Sequence, residues 1–248
     1  MADHPFLQIL GTGHSEAMEH WNTNAMIVSS GRRLLIDCGF TIKYALRDRG
    51  LGLPDIDAIF ITHVHGDHVF GLERVGYESR FRYGKRVQLI LHESLQEELW
   101  DQTLKGSMGR ASEGENTLAD FFDVVLLRDD RFDWQGVHCK LFRTRHTPNK
   151  ISYGLHINEQ VIFTSDTTPI PEQIATLPAH TIFHDVTLRD EHPVHAAVPA
   201  LLSAYTPEMR KKMYLMSYED YWRDWEPQIQ REFAGFAKQG QIVTIENL

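Results

Sequence analysis

The stretch Thr62-His63-Val64-His65-Gly66-Asp67-His68 places three histidines and one aspartate within six consecutive residues. It directly follows the short, densely apolar run Ala58–Thr62, which is typical of a strand buried on both faces. Imidazole nitrogens and carboxylate oxygens are ligands for Zn²⁺ and similar divalent metals. Such a density of ligands where a strand ends indicates a metal site, because loops that follow a rigid element commonly carry function.

The spacing within this stretch divides its side chains between two ions. In an extended segment alternate side chains share a direction, so His63 and His65 can reach one ion. Asp67 and His68 lie just beyond, where the chain turns, and can reach a second ion. Gly66 permits the sharp turn between the two pairs, since it has no side chain to resist it.

The rest of the chain alternates short apolar runs with helical patterns, without a repeat or a long linker. The strand-rich segments fall into two groups, which predicts an α/β fold with two sheets face to face and helices outside. We expect one domain over residues 1–248. The expected strands are Phe6–Leu10, Asn24–Val28, Arg33–Ile36, Ala58–Thr62, Phe122–Arg128, Val137–Arg145, Ile151–Ile157, Gln160–Thr164, Thr181–Phe183, Lys212–Met216 and Gln241–Ile245. The expected helices are Thr41–Asp48, Val69–Phe81, Glu93–Leu104, Ala196–Ala204 and Pro227–Lys238.

The composition argues against several classes of protein. The 248 residues include 25 Lys and Arg against 34 Asp and Glu, a formal net charge of −9, which disfavours indiscriminate binding to nucleic acid. No apolar run approaches the roughly 20 residues of a membrane helix, and the N-terminus lacks a secretory pattern. Cys38 and Cys139 are too few for a disulfide framework and are typical of reduced thiols. We expect a cytoplasmic protein without membrane contact.

Five segments together resemble a known family. His63–His68 is similar to the metal-binding pattern His-x-His-x-Asp-His of the metallo-β-lactamase fold superfamily. Leu10–Gly13, Leu35–Gly39, Arg145–Pro148 and Thr164–Thr167 resemble, in order, further segments of its ribonuclease Z-like branch. The resemblance covers nearly the whole chain and implies a four-layer αββα sandwich of the metallo-β-lactamase type.

The resemblance also implies which side chains bind the metals. His146 and Asp166 each follow a predicted strand, so both can converge on one sheet edge with the histidine stretch. The expected cofactor is a pair of divalent ions, two Zn²⁺, with Mn or Fe as alternatives. The implied ligands are His63, His65, His146 and Asp166 for the first ion, and Asp67, His68 and the other oxygen of Asp166 for the second.

Further residues in the same branch imply catalytic roles. The segments around His184 and His195 resemble those that supply histidines beside the metals. Either histidine could act as a general acid or stabilise developing charge, with Asp185 as an orienting partner. Asp67 is the third expected catalytic residue, because it would hold or accept the proton of the attacking water.

One expected ligand is replaced. The superfamily usually supplies a last histidine for the second metal after a strand near the C-terminus, here Met213–Met216, and Ser217 stands in its place. Serine is a poor zinc ligand compared with imidazole. Three outcomes are open: the second ion binds weakly with water or Ser217 in the gap, another group such as His184 substitutes, or the site holds a single ion.

Aromatic residues follow Ser217 at helical spacing. Tyr218, Tyr221, Trp222 and Trp225 fit positions i, i+3, i+4 and i+7 of one helix face. This pattern predicts a helix that either packs on the core or stacks on a planar substrate.

The resemblance favours a metal-dependent phosphodiesterase that acts on a nucleotide, a cyclic nucleotide or an RNA end. Folded RNA is disfavoured, because the chain is acidic and lacks a glycine- and lysine-rich arm for transfer RNA. Hydrolysis of an ester, lactone or thioester is the alternative, since the same fold hosts both reactions. A third hypothesis is a non-catalytic, metal-stabilised protein that binds a ligand. A homodimer is compatible with all three.

Overall fold

Two seven-stranded sheets form the frame of the protein in the computed structural model, which describes residues 4–246. The strands are β1 (Phe6–Gly11), β2 (Asn24–Ser29), β3 (Arg32–Ile36), β4 (Ala58–Phe60), β5 (Val87–His92), β6 (Arg110–Ala111), β7 (Gly114–Glu115), β8 (Phe122–Leu127), β9 (Arg131–Trp134), β10 (Val137–Arg143), β11 (Tyr153–Ile157), β12 (Val161–Phe163), β13 (Thr181–Asp185), β14 (Met213–Met216), β15 (Gly235–Phe236) and β16 (Ile242–Thr244). The first sheet has the order β16-β1-β2-β3-β4-β5-β8 and the second β15-β14-β13-β12-β11-β10-β9, while β6 and β7 form a separate hairpin.

Short helices connect these strands. They are α1 (Ile42–Arg47), α2 (Gly66–Val69), α3 (Leu72–Tyr77), α4 (Gln96–Leu99), α5 (Lys105–Met108), α6 (Leu118–Phe121), α7 (Pro171–Ile174), α8 (Val198–Ala204), α9 (Pro207–Arg210) and α10 (Glu226–Glu232). Turns of 3-10 helix span Leu53–Asp55, Glu93–Leu95 and Trp222–Asp224, and turns of π-helix span Glu78–Arg82 and Trp100–Leu104. Among residues 4–246, none of the helices has the length and apolar content that crossing a membrane requires.

The main hydrophobic core lies between the two sheets. Leu35 and Phe60 of the first sheet belong to the same buried cluster as Leu155 and Phe163 of the second. A second cluster joins the second sheet to the helices outside it, where Leu201 of α8 is a member. The expected α/β architecture with two large sheets face to face is therefore confirmed.

The direction of the strands brings distant parts of the sequence to one edge. β3, β4, β5 and β8 run parallel in the first sheet, as do β12 to β15 in the second. In α/β sheets, ligands bind outside the carboxyl ends of such strands. Asp37 follows β3, the histidine stretch follows β4, and Asp166 follows β12, so the fold collects all three at this edge.

Two predicted helices are shorter than the sequence pattern indicates. The helix expected over Val69–Phe81 is interrupted at Gly71, whose N–H donates to the carbonyl of Cys38 at 2.8 Å. The helix expected over Pro227–Lys238 ends at Glu232, and the following Gly235–Phe236 pairs with β14 as an edge strand. In both places a long-range backbone contact replaces the local helical one.

The aromatic helix expected after Ser217 is wrong in extent. Only Trp222–Asp224 form a helical turn there. Tyr218 instead pairs its backbone with Gly13, and its hydroxyl donates to the carbonyl of Ala237 at 2.8 Å. These tertiary contacts fix Tyr218 in the interior, while Tyr221 is 45% exposed, so the four aromatic side chains do not form one wall.

Candidate metal centre

The loop after β4 and helix α2 carry the first four candidate ligands. His65 has an extended backbone and immediately precedes α2, which begins at Gly66. His63 and His68 are buried, whereas the side chain of Asp67 is 14% exposed. The change from extended chain to helix within the stretch separates its ligand atoms into two groups.

Four side chains meet in the first group: His63, His65, His146 and Asp166, whose ligand atoms all lie within 4.8 Å of one another. The Nδ1 atom of His65 is 3.0 Å from Nε2 of His146 and 3.2 Å from Nε2 of His63. The Oδ2 atom of Asp166 is 3.7 Å from Nε2 of His146 and 3.9 Å from Nε2 of His63. The structure thus brings together the whole set expected for the first ion.

The second group consists of Asp67, His68 and Asp166. Nε2 of His68 is 3.4 Å from Oδ2 of Asp67 and 3.4 Å from Oδ2 of Asp166. Asp166 therefore belongs to both groups, as expected for a carboxylate that bridges two ions. The contacts with both groups are made by the same oxygen, Oδ2, rather than by one oxygen for each ion as the family resemblance implied. One carboxylate oxygen can face two ions because it has more than one lone pair.

Two buried atoms at the centre fit a cation. Within the described residues, Nε2 of His68 and Oδ1 of Asp166 have no hydrogen-bond partner. Buried polar atoms are nearly always paired, so such orphans need an explanation such as a bound ion. Imidazoles and carboxylates at this separation are suited to a divalent metal such as Zn²⁺, Mn²⁺ or Fe²⁺.

Hydrogen bonds behind the histidines fix which nitrogen faces the centre. Nδ1 of His146 donates to the carbonyl oxygen of Val194 at 2.9 Å, which leaves the lone pair of Nε2 directed at the other ligands. Nδ1 of His63 lies 3.0 Å from the hydroxyl of Thr62, whose own proton goes to Asp37. His63 is consequently the donor to Thr62, and its Nε2 is also free to bind a metal.

Asp37 supports this arrangement, although its place in the sequence pattern did not by itself indicate such a role. It is fully buried, and its carboxylate accepts hydrogen bonds at 2.8 Å from the backbone N–H and the hydroxyl of Thr62. A third bond of 2.8 Å comes from Nδ1 of His68, which directs Nε2 of His68 towards Asp166. Its position directly after a buried strand, like that of the histidine stretch, was the available signal.

The electrostatics favour neutral rings at His63 and His65 beside an ionised carboxylate, but not at His68. Burial opposes the charged form of His68, but the carboxylates of Asp166, Asp67 and Asp37 outweigh burial and raise the pKa of His68 well above its usual value. Burial, followed by the nearby His68, lowers the pKa of His63 well below its usual value. Burial is also the main reason that the pKa of His65 falls to about 4, so both rings keep the lone pairs that metals require. Burial opposes ionisation of Asp166, but the adjacent His68 outweighs it and holds the pKa of Asp166 well below its usual range.

His195 lies beside this centre in a pair with Asp185. Its Nδ1 is 2.8 Å from Oδ2 of Asp185, and its ring is 4.9 Å from that of His146. Oδ2 of Asp185 also accepts the backbone N–H of Thr167 at 2.9 Å, which orients the carboxylate. Burial disfavours the charged ring, but Asp185 outweighs burial and raises the pKa of His195 to about 9.

His184 does not reach the centre, which corrects the expectation that it acts at the leaving group. Its Nδ1 donates to the backbone carbonyl of Asp185 at 2.7 Å, and its Nε2 is 2.8 Å from the hydroxyl of Tyr205. Both nitrogens are engaged and the ring is fully buried. Neighbouring residues of a strand point to opposite faces, so Asp185 turns towards His195 while His184 turns towards Tyr205.

Ser217 is buried and has a left-handed backbone, with φ of 71°. It lines a small polar cavity together with His195. His184 does not substitute for the replaced histidine, because its ring nitrogens are bonded elsewhere. The second group therefore keeps Asp67, His68 and Asp166. In the described part of the chain Asp166 also belongs to a third set of close ligand atoms, with Asp185 and His195.

Gly39 allows the histidine stretch to approach β3 closely. A Cβ atom added to Gly39 would lie 1.8 Å from the carbonyl oxygen of Asp67. We expect Gly39→Ala to lower the free energy of unfolding by about 3 kcal/mol and to weaken metal binding, because Asp67 must move. Urea unfolding and metal titration measure both effects.

Gly106→Ala is the matched control. Gly106 is exposed in α5 and a Cβ atom added there would meet nothing within 4 Å, so the free energy of unfolding should rise by up to about 1 kcal/mol. If Gly39→Ala and Gly106→Ala had the same unfolding free energy and the same metal affinity, the close approach of Gly39 to Asp67 would not matter for either property.

The two sheets and the paired ligand groups define a protein of the metallo-β-lactamase fold class. Solved structures agree with this fold. A diphosphatase of the PhnP family aligns over 98% of both chains with a TM-score of 0.77 and 19% identity. The short form of human tRNase Z aligns over 97% of this chain and 99% of its own, with a TM-score of 0.67 and 19% identity.

Residues 6–243 match the family described as Anti-Pycsar protein Apyc1. The chain belongs to this family. An Anti-Pycsar protein Apyc1 of Saccharibacillus brassicae is 40% identical over 220 residues, which are 86% of this chain and 90% of the relative. Another, from Bacillus phage 010DV004, is 32% identical over 233 residues, or 88% of this chain and 90% of the phage protein.

Proposed function

We propose that this protein is a metal-dependent phosphodiesterase that hydrolyses a cyclic nucleotide. The observation that carries the proposal is the position of Asp166 in both ligand groups, since paired metal sites recur in enzymes that cleave phosphate esters. The names of the relatives, which are anti-Pycsar proteins, and of a structural neighbour, a diphosphatase, support phosphate chemistry over acyl transfer.

The chain's own residues divide the remaining tasks. Divalent metals held by the two groups would lower the pKa of a bound water and polarise the phosphate ester. Asp67 is the most accessible carboxylate of the two groups and would hold the attacking water or accept its proton. His195, kept protonated by Asp185, would give a proton to the leaving oxygen.

Two other functions make different predictions. An ester, lactone or thioester hydrolase would turn over acyl substrates and leave phosphodiesters intact. A metal-stabilised binding protein would hold a metal and turn over neither class. A chromogenic phosphodiester and a panel of lactones and thioesters therefore separate the three functions, because the fold supports each of them.

The decisive experiment is hydrolysis of 3′,5′-cyclic nucleotides by the purified protein, with its metal content measured by elemental analysis. We expect turnover that is lost in the double variant Asp67→Ala, His68→Ala, because the second ligand group is then left with Asp166 alone. Unchanged turnover and metal content in that variant would rule out the assigned site. Turnover of lactones or thioesters in place of phosphodiesters would replace the proposal by the acyl alternative.

The pair of His195 and Asp185 predicts a decline of activity on the alkaline side. The acid form of His195 predominates at neutral pH and is lost as the pH rises through its pKa of about 9. We expect the turnover number to fall over the same range. His195→Gln should lower turnover by about 10²- to 10⁴-fold and remove this alkaline limb, as for loss of a general acid. An unchanged pH profile in the variant would show that another group supplies the proton.

A further inference from the structure

A polar cavity of about 90 Å³ lies among the loops that follow strands of both sheets, beside the metal centre. Its walls are the loops after β1, β13 and β14, and the loop after β13 contributes Thr187, Arg189, His192 and His195. A backbone pairing of Gly13 with Tyr218 holds the first and the third loop together. The N–H of Ser217 also donates to the carbonyl of Thr12 at 2.8 Å. The ring of His195 lines this cavity and lies 4.9 Å from the ring of His146, so the cavity adjoins the reaction site.

His14 presents a donor to this cavity. Its Nδ1 accepts the backbone N–H of Glu16 at 2.7 Å and is therefore unprotonated. The proton of a neutral imidazole then lies on Nε2, which faces Glu219. The tautomer of His14 is thus determined by the backbone two residues further on.

Glu219 presents an acceptor to the same cavity, although it is 5% exposed. Its Oε2 accepts the N–H of Leu188 at 2.7 Å, and its Oε1 accepts the hydroxyl of Thr187 at 2.6 Å. These bonds hold the carboxylate in place. The Nε atom of Arg189 also faces Oε1, at 3.7 Å, which is too far for a hydrogen bond, so a lone pair remains on Oε1. Nε2 of His14 is 3.8 Å from Oε1, too far for a direct hydrogen bond.

One oxygen atom fits between this donor and this acceptor. An atom about 2.8 Å from each would close a triangle whose base is the 3.8 Å separation. A hydroxyl satisfies both sides, since it accepts from Nε2 of His14 and donates to Oε1 of Glu219. A carbonyl or phosphate oxygen carries no hydrogen to donate to Oε1 of Glu219, so it would satisfy His14 alone. The cavity holds only a few water-sized groups, which is too little for a nucleobase.

We propose that His14 and Glu219 bind a sugar hydroxyl of the substrate. In a 3′,5′-cyclic ribonucleotide the 2′-hydroxyl is the one free sugar hydroxyl, and its carbon neighbours the carbon of the 3′ ester. A subsite that adjoins the reacting bond is where this group belongs. This inference rests on the proposed phosphodiesterase function and adds a selection of ribose over deoxyribose.

The first test compares kcat/KM for 3′,5′-cyclic AMP and its 2′-deoxy analogue, with a sugar-free chromogenic phosphodiester as reference. We expect the ribonucleotide to be preferred by about 10- to 100-fold, the range for a hydrogen bond to a charged group. Equal values, with the phosphodiester also hydrolysed, overturn the hydroxyl subsite alone. Failure to hydrolyse any phosphodiester overturns the proposed function and the subsite with it.

The second test uses variants of His14 that differ in one donor. In His14→Asn the side-chain oxygen can still accept the N–H of Glu16, but the Nε2 donor is gone. We expect kcat/KM to fall for the ribonucleotide only, so that the ratio of its kcat/KM to that of the 2′-deoxy analogue approaches one. His14→Gln, whose amide can reach towards Glu219, should retain part of the preference. An unchanged preference in His14→Asn overturns the role of His14.

Two further variants complete the design. Glu219→Gln should also reduce the preference, because its amide can present an N–H where Oε1 accepts the substrate hydroxyl. If this buried variant fails to fold, the variants of His14 carry the test. His138→Asn is the matched control, since its side chain is 61% exposed on β10 and lies outside the cavity. It should leave both substrates unaffected.

Discussion

Asp166→Ala is expected to remove metal from both sites and to lower kcat/KM for a phosphodiester by about 10³-fold or more, the equivalent of several kcal/mol of transition-state stabilisation. The reason is geometric, because Asp166 belongs to both ligand groups. Loss of His65 or Asp67 would affect one group only. Elemental analysis of the purified variant and its turnover of a cyclic nucleotide measure the two effects.

The control for this variant is an aspartate outside the centre. Asp101 is 49% exposed and pairs with Lys105 on the surface, so Asp101→Ala should change neither metal content nor turnover. A folded Asp166→Ala protein with full metal content would contradict the bridging role. Loss of exactly one ion would indicate that Asp166 binds a single metal.

Asp37→Ala is expected to lower the free energy of unfolding by about 3–5 kcal/mol and metal affinity by about 10- to 100-fold. The substitution leaves the N–H and hydroxyl of Thr62 and Nδ1 of His68 without their acceptor in a buried place. His68 is then free to rotate, which costs metal binding even though no metal ligand has been changed. Urea unfolding without metal and titration with metal separate the two effects.

Asp37→Asn separates the effect of the size of the Asp37 side chain from the effect of its negative charge. The amide oxygen can still accept the N–H of Thr62, but the amide nitrogen meets the hydroxyl of Thr62 and Nδ1 of His68, which need an acceptor. We expect stability to recover in part and metal affinity to stay low. Full recovery of metal affinity in Asp37→Asn would show that Asp37 only fills space.

The sequence predicted the metal ligands best where they lie close together along the chain. Residues 63–68 contain four candidate ligands, so the position of one strand end places them all. His146 and Asp166 lie far along the chain, and their placement depended on the family resemblance. The carboxyl ends of strands in both sheets then bring them together.

Other parts of the site depend on contacts that no local pattern contains. The support from Asp37 requires β3 to lie beside β4, which the sequence does not state. His184 was expected beside the metals because its segment resembles the ribonuclease Z-like branch, but the alternation of side chains along β13 sends it to the opposite face from Asp185. The short strand β15 was missed since two residues carry no periodicity.

The ligands of this centre come from both sheets, with His63 and His68 after β4 and His146 and Asp166 after strands of the second sheet. An ion bound there connects the two sheets, and its ligands lie close together only while the chain is folded. Its binding therefore adds to the unfolding free energy, by about 2.7 kcal/mol when the free metal is 100 times its dissociation constant. The melting temperature of this protein is thus a gauge of the metal concentration around it, and stabilities of its variants are comparable only at a fixed concentration.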